Sequence, residues 1–315
     1  MKSVVCTLFE GNYHHGVAVL INSLFKNGFR GEVCVGYRGE LPEWTCKADK
    51  NIDLKWENAS RLIITDDLIV NFLPITFDYH MTNYKPDFII ELWNSIAYDA
   101  DAIFYFDPDI IIKCNWSFFE NWVDHGVALV HEISSNDMPI NHPIRGMWKG
   151  IIEDNNEKVC NDVTSYINAG FVGLRKKNIQ FVEKYSKFVH LSKNKYNVDV
   201  INLNFTSRTD PFSAKDQDAL NIAAMCCSVP LSEMGPEAMD FIHGGFTMSH
   251  AIGRSKPWNK SFVLSALKGI PPSLPDKVFW QNVGEPIVTF EKRITKLKIL
   301  SIKIASFIGR FYRKN

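Results

Sequence analysis

The sequence has no excess of charge, with 35 basic residues against 35 acidic ones among 315. Nucleic-acid binders draw their affinity from clustered cations on phosphate, so the chain as a whole offers no electrostatic case for that partner. Long apolar runs are missing too, and none reaches the roughly 20 residues that span a bilayer. No signal peptide is legible, because Met1-Lys2-Ser3-Val4-Val5-Cys6 leads directly into a strand. The expectation is a cytoplasmic protein. The sequons at Asn58, Asn115, Asn204 and Asn259 then carry no weight. The seven cysteines, odd in number and without CxxC spacing, argue against a disulfide framework or a zinc ribbon and read as packed, reduced thiols. No internal repeat or low-complexity segment is present.

What remains is ordinary globular composition, 46% hydrophobic and 22% charged, long enough for a large α/β core. Val4 to Leu8 reads as a strand, Gly16 to Lys26 as a helix stopped by Gly28, and Glu32 to Tyr37 as a second strand. That opening is the pattern of a doubly wound parallel sheet, and the expected class is α/β, a Rossmann-like mixed sheet flanked by helices. Further along, a helix is expected over 87–98, strands over 102–106, 126–130 and 171–174, and a helix over 217–225 opened by Asp216. Residues 1–265 are read as one catalytic domain, 266–290 as a Pro-containing connection (Pro271, Pro272, Pro275), and 291–315 as a separate tail.

Two segments carry chemistry. The apolar run Ala102-Ile103-Phe104-Tyr105-Phe106 fits a strand buried on both faces, and it delivers Asp107-Pro108-Asp109 to the loop beyond its carboxyl end, where open α/β sheets bind ligands. Such a pair suits Mn²⁺ or Mg²⁺, whose remaining positions are commonly filled by phosphate oxygens; equally, two acids after a strand form a common polar turn. The second is His250-Ala251-Ile252-Gly253-Arg254-Ser255-Lys256-Pro257-Trp258. It supplies an imidazole for a borderline metal, a glycine that lets backbone approach an anion, and a lysine as a point charge for phosphate.

Together with Asn12-Tyr13, Asn168-Ala169-Gly170-Phe171 and Asp216-Gln217-Asp218-Ala219-Leu220-Asn221, these segments make residues 3–260 resemble glycosyltransferase family 8, retaining enzymes of GT-A fold, and in particular its bacterial lipooligosaccharide and lipopolysaccharide galactosyl- and glucosyltransferases. The resemblance implies a UDP-sugar donor and an oligosaccharide or lipid-linked glycan acceptor. It implies Mn²⁺, or Mg²⁺ in its place, on Asp107, Asp109 and His250, with Gly253 and Lys256 on the diphosphate. Glu10, Asn12 and Tyr13 would line the uridine end, and Asn168, Asp216 and Gln217 would meet the donor sugar. Two positions depart from the family. Glu10 stands where an aspartate is usual, and Asn83-Tyr84-Lys85-Pro86-Asp87 replaces an Ala-Arg-Leu segment, leaving Lys85 as the substitute cation.

Breaking a bond from an anomeric carbon to diphosphate puts charge on the leaving oxygen, which a metal and Lys256 would stabilise in place of a general acid. Retention in glycosidases normally uses a carboxylate nucleophile. Gln217 is an amide, so front-face substitution stands beside a covalent step, for which Asp218 is the carboxylate to watch. A sugar nucleotidyltransferase or metal-dependent phosphohydrolase would also use a carboxylate pair, but would add a Gly-rich phosphate loop or further ligands. An inactive nucleotide-sugar-binding homologue is the third reading.

Residues 291–315 hold eight basic residues against Glu291, a balance of +7, so the first 290 residues carry −7. At helical spacing Ile294, Leu297, Leu300, Ile304, Phe307, Ile308, Phe311 and Tyr312 share one face, and Lys292, Lys296, Lys303, Arg310 and Lys314 the other. The pattern fits an interfacial helix on the anionic inner surface of a membrane, or a terminal helix docking its apolar face on the domain.

Overall fold

The computed structural model describes residues 1–50, 54–133, 138–202 and 207–312, so Asn204, Arg313 and Lys314 lie outside the described residues. In chain order the elements are β1 (Ser3–Glu10), α1 (His14–Lys26), β2 (Gly31–Arg38), β3 (Ser60–Thr65), β4 (Leu68–Pro74), α2 (Met81–Asn94), β5 (Ala102–Phe106), β6 (Ile110–Ile112), α3 (Trp116–Trp122), β7 (Val127–His131), α4 (Pro143–Glu153), β8 (Ile167–Arg175), α5 (Gln180–Tyr196), α6 (Lys215–Cys226), β9 (Leu231–Met234), β10 (Met248–His250), α7 (Phe262–Leu267), α8 (Leu274–Gln281) and α9 (Lys292–Ile308). Eight strands form one sheet in the order β3-β4-β2-β1-β5-β8-β7-β9. The pairs β4-β2-β1-β5 and β7-β9 are parallel; β3-β4, β5-β8 and β8-β7 are antiparallel. The mixed α/β sheet flanked by helices matches the expected class.

Strand alternation sends successive side chains of β1 to opposite faces. Val4, Cys6 and Leu8 enter a core with residues of α2, α4, α5 and α6, while Val5 and Phe9 enter a second core with residues of α1 and α3. Burial on both faces accounts for the unbroken apolar run of β5. A third core joins Val19 of α1 and Ile111 of β6 to Trp258, Phe262, Phe279, Trp280, Ile302 and Ala305. The passage 266–290 therefore carries the helix α8, whose Phe279 and Trp280 are core residues, and Asn22 of α1 both donates to the Ile287 carbonyl (2.9 Å) and accepts from the Ile287 N–H (2.8 Å).

The helix expected over 87–98 starts six residues earlier, at Met81. Pro86 lacks the N–H that the Thr82 carbonyl would receive, a defect that normally costs about 3 kcal/mol inside a helix. Burial of Met81, Tyr84, Lys85 and Phe88 outweighs it, and the His80 side chain accepts from the Thr82 N–H as an N-cap. The tail helix does not dock the apolar stripe that its pattern displays. It docks through Ile302 and Ala305, which lie off the expected stripe, and leaves Leu297, Leu300, Ile304 and Phe307 exposed. Among the described residues no helix is long and apolar enough to cross a membrane. All seven cysteines are unpaired.

Candidate active site

The sheet topology converges on one edge. Asp107 follows β5 at its carboxyl end, and β8, running the other way, begins at that edge, so the Asp107 N–H donates to Gly170 O (2.7 Å). β7 ends beside it, with Val130 opposite Asn168, which places Glu132 next to the same crevice. The two-residue turn after Asp107 leads into β6, and β10 pairs with β6 so that His250 lies opposite Ile110, one residue past Asp109. α6 is tied to β8 by the Asn221 amide, which accepts from the Ile167 N–H and donates to the Ile167 carbonyl, both at 2.9 Å. Its first turn, with Asp216 and Gln217, is thereby held over Asn168 and Ala169.

Asp107, Asp109 and His250 offer one ligand atom each within 4.8 Å of one another. Each carboxylate gives one oxygen to a lysine and turns the other toward the imidazole. Asp107 Oδ1 meets Lys85 Nζ (3.0 Å) and the Tyr105 hydroxyl (2.9 Å), while Oδ2 lies 3.9 Å from His250 Nε2. Asp109 Oδ2 meets Lys256 Nζ (2.5 Å), while Oδ1 lies 3.3 Å from His250 Nε2. Two carboxylate oxygens and one imidazole nitrogen facing a shared point fit a hard or borderline divalent ion such as Mn²⁺ or Mg²⁺. Gly170 makes room for this arrangement, because a Cβ there would stand 2.6 Å from His250 Cε1 and 2.8 Å from Asn168 Oδ1. Burial would raise the Asp109 carboxyl, but His250 and Lys256 outweigh it and hold the group below the usual range.

Lys85 is 3% exposed and bridges Asp107 Oδ1 (3.0 Å) and Asp216 Oδ2 (3.1 Å), with a third bond to Ala169 O (3.0 Å). Burial lifts the Asp216 carboxyl above its ordinary value, and Lys85 opposes that rise.

Two cavities open along the edge and share Asp107 and Thr82. One, about 260 Å³, is lined by Glu10, Tyr13, His80, Asp109, Gly253 and Lys256, among others. The other, about 270 Å³, includes Lys85, Glu132, Asn168, Ala169, Asp216 and Gln217 in its walls. Most of the residues expected at the site are therefore together. Two are not. Asn12 is exposed on the turn before α1 and lines neither cavity. Asp218 points away, accepting from the Tyr166 hydroxyl (2.7 Å) and the Ala214 N–H (2.7 Å), and burial pushes it up to about 7.

Glu132, His80 and Thr82 were not singled out from the sequence. Glu132 Oε2 accepts from Asn168 Nδ2 (2.6 Å) and lies 3.5 Å from Gln217 Nε2. The Gln217 oxygen accepts from the Ala169 N–H (3.1 Å). Both ends of that amide are thus engaged by neighbours.

No protein-family model matches the chain, and no curated protein matches it. Its fold is nevertheless that of GT-A glycosyltransferases of known structure. An active-site mutant of LgtC is 13% identical, with a TM-score of 0.53, over 92% of this chain and 98% of its own. The galactosyltransferase LgtC in complex with donor and acceptor sugar analogs is 15% identical, also at 0.53, over 94% and 99%. The glycosyltransferase GlyE of Streptococcus pneumoniae reaches 0.49 at 15% identity, over 96% of this chain and 64% of its own. At these identities the likeness is one of fold.

Proposed function

We propose that the chain is a retaining glycosyltransferase that moves a hexose from a UDP-sugar to a glycan acceptor, using Mn²⁺ or, in its place, Mg²⁺. The observation that carries this reading is the meeting of two cavities at a cluster of two carboxylates and an imidazole. Uridine suits the side lined by Glu10, Tyr13 and His80, and a hexose suits the side lined by Glu132, Asn168 and Gln217. The diphosphate would lie between, against Gly253 and Lys256. Gly253 has φ +97°, a backbone state that favours glycine and leaves its N–H free of a crowding side chain. A divalent ion bound by Asp107, Asp109 and His250 would add charge stabilisation at the leaving diphosphate. Lys256 would contribute a second positive charge there.

Gln217 has its oxygen on the Ala169 N–H, which holds the amide in the wall of the hexose side and leaves it a weak nucleophile. Asp107 and Asp216 share the Lys85 ammonium, and Asp218 faces Tyr166. That distribution supports front-face substitution, in which the leaving diphosphate takes the acceptor proton. The acceptor is an oligosaccharide or lipid-linked glycan of a bacterial surface polysaccharide of the lipopolysaccharide type. The enzyme works in the cytoplasm on the anionic inner face of the membrane, held there by its basic tail, and has no nucleic-acid partner.

The test is a donor screen with purified protein and Mn²⁺, following UDP release with and without a lipid-linked oligosaccharide. Transfer with an α-linked product by proton NMR is expected from an α-linked donor. Asp109→Ala should lose at least about 10²-fold in turnover, the scale of one charge-stabilising group. Full activity in EDTA would end the metal assignment, a β-linked product would end retention, and donor binding without turnover would mark an inactive homologue.

A further inference from the structure

α9 presents three faces. Ile302 and Ala305 are buried against Phe262, Ala266, Phe279 and Trp280, and Lys298 Nζ donates to Lys260 O (2.7 Å) on the same side. A second face shows Leu297, Leu300, Ile304 and Phe307 to solvent, Phe307 at 59% exposure. Beside it run Lys292, Lys296, Lys303 and Arg310, all exposed and without a carboxylate partner among the described residues. The docked face fixes the helix against the domain, so the apolar and basic faces are held in place.

α7 lies alongside in the same direction, with Phe262 under Lys298 (5.6 Å from ring to Nζ) and Pro271 against Gly309. Its Leu264 is 62% exposed and lines, with Val263, Ile294 and Leu297, an open groove of about 340 Å³ between the two helices. Leu267 and Ile270 are exposed on the same segment. Exposed apolar residues grouped in this way, rimmed by polar ones, mark an interaction surface. A row of unpaired cations beside it selects an anionic, apolar-cored partner.

We propose that α7 and α9 together form a rigid two-helix face that seats on an anionic phospholipid bilayer, the groove between Leu264 and Leu297 taking acyl chain. This rests on the membrane reading above and goes beyond it, because it assigns half of the contact to a helix outside the basic tail and fixes how the domain sits on the surface.

Flotation of the full chain at low salt tests it, using vesicles of phosphatidylcholine alone or mixed with phosphatidylglycerol. The wild type should float only with the mixed vesicles. Leu264→Glu and Leu297→Glu should each weaken that binding at least about tenfold, through one lost buried leucine and one added repulsive charge. Both residues are exposed, and unchanged circular dichroism and donor-side activity on a soluble acceptor would establish that the variants are folded. If Leu297→Glu loses binding and Leu264→Glu keeps it, the tail alone is the anchor and the two-helix face is wrong. If the wild type ignores mixed vesicles, both readings fall. A wild type that elutes as a dimer, ignores vesicles and becomes monomeric as Leu264→Glu would show that a second copy covers this face, and overturns the proposal.

Discussion

Replacing Lys85 by methionine keeps the aliphatic stem and removes the charge that Asp107 and Asp216 share. At 3.0 and 3.1 Å, and an effective dielectric of about 20, each attraction is worth about 5 kcal/mol. Desolvation of the three groups cancels much of this, so the relevant scale is the loss on orphaning a buried partner, about 3–5 kcal/mol. Asp216 has an escape, because it can take up a proton. Its folded-state pKa is already raised by burial, so in the wild type its ionisation costs stability as pH rises and costs nothing once pH falls below the unfolded value. Without Lys85 that pKa rises further, and the penalty of the variant should be largest near neutral pH and shrink in acid. Urea unfolding of wild type and Lys85→Met at about pH 7.5 and about pH 5 reads both quantities. A variant within about 1 kcal/mol of wild type at both values, well below the expected loss, would refute the reasoning, and so would a penalty that grows on acidification.

Other outcomes follow from the same geometry. Glu132→Gln keeps the shape but removes the charge that orders the Asn168 and Gln217 amides, so kcat should drop about tenfold or more with little change in the melting temperature, measured by UDP release and thermal unfolding. Asp218→Asn should flatten the pH dependence of stability: the wild-type carboxyl, pushed up to about 7, favours the folded state in acid and loses that contribution as pH rises through 7, whereas an amide does not titrate. Melting temperatures across about pH 5 to 8 check this, and an unchanged slope counts against it. Truncation after residue 290 should lower the melting temperature, because it strips Ile302 and Ala305 from Phe262, Phe279 and Trp280. Tryptophan fluorescence shifted to the red in the truncated protein is the expected signature, and an unaltered spectrum and melt would mean that the docked face contributes little.

The parts of the site that the sequence displays are those in which chemistry and chain order coincide. β5 has the expected bounds, because a short apolar run ended by Asp-Pro admits little else. Asp107, Asp109 and His250 belong to motifs with internal spacing. Glu132 belongs to none: it reaches the crevice only because β7 and β8 pair antiparallel, a long-range fact without a local signal. β6 and β10 are three residues each, too short for periodicity, yet their pairing is what brings His250 to Asp109 across 140 residues of chain. The start of α2 was hidden by Pro86, whose local cost is overridden by the packing of Tyr84 and Lys85. The orientation of α9 could not be read from its pattern, since the strongest apolar stripe is the one left outside.

The third core bears on the order in which the protein is made. Trp258 packs edge-on to Tyr13, with ring centroids 5.5 Å apart, and Trp280 Nε1 donates to Pro257 O (3.2 Å), so the segment carrying Lys256 is propped from one side by the start of the chain and from the other by α8, 23 residues downstream. A nascent chain emerges N-terminal end first, and contacts of long sequence separation form late. The eight-stranded sheet is complete in chain order at Met234, so all of its strands emerge before the α8 residue that backs the segment carrying Lys256 and Gly253. The sheet comes first and the wall carrying Lys256 last, with the apolar outer face of α9 following in the same stretch of chain.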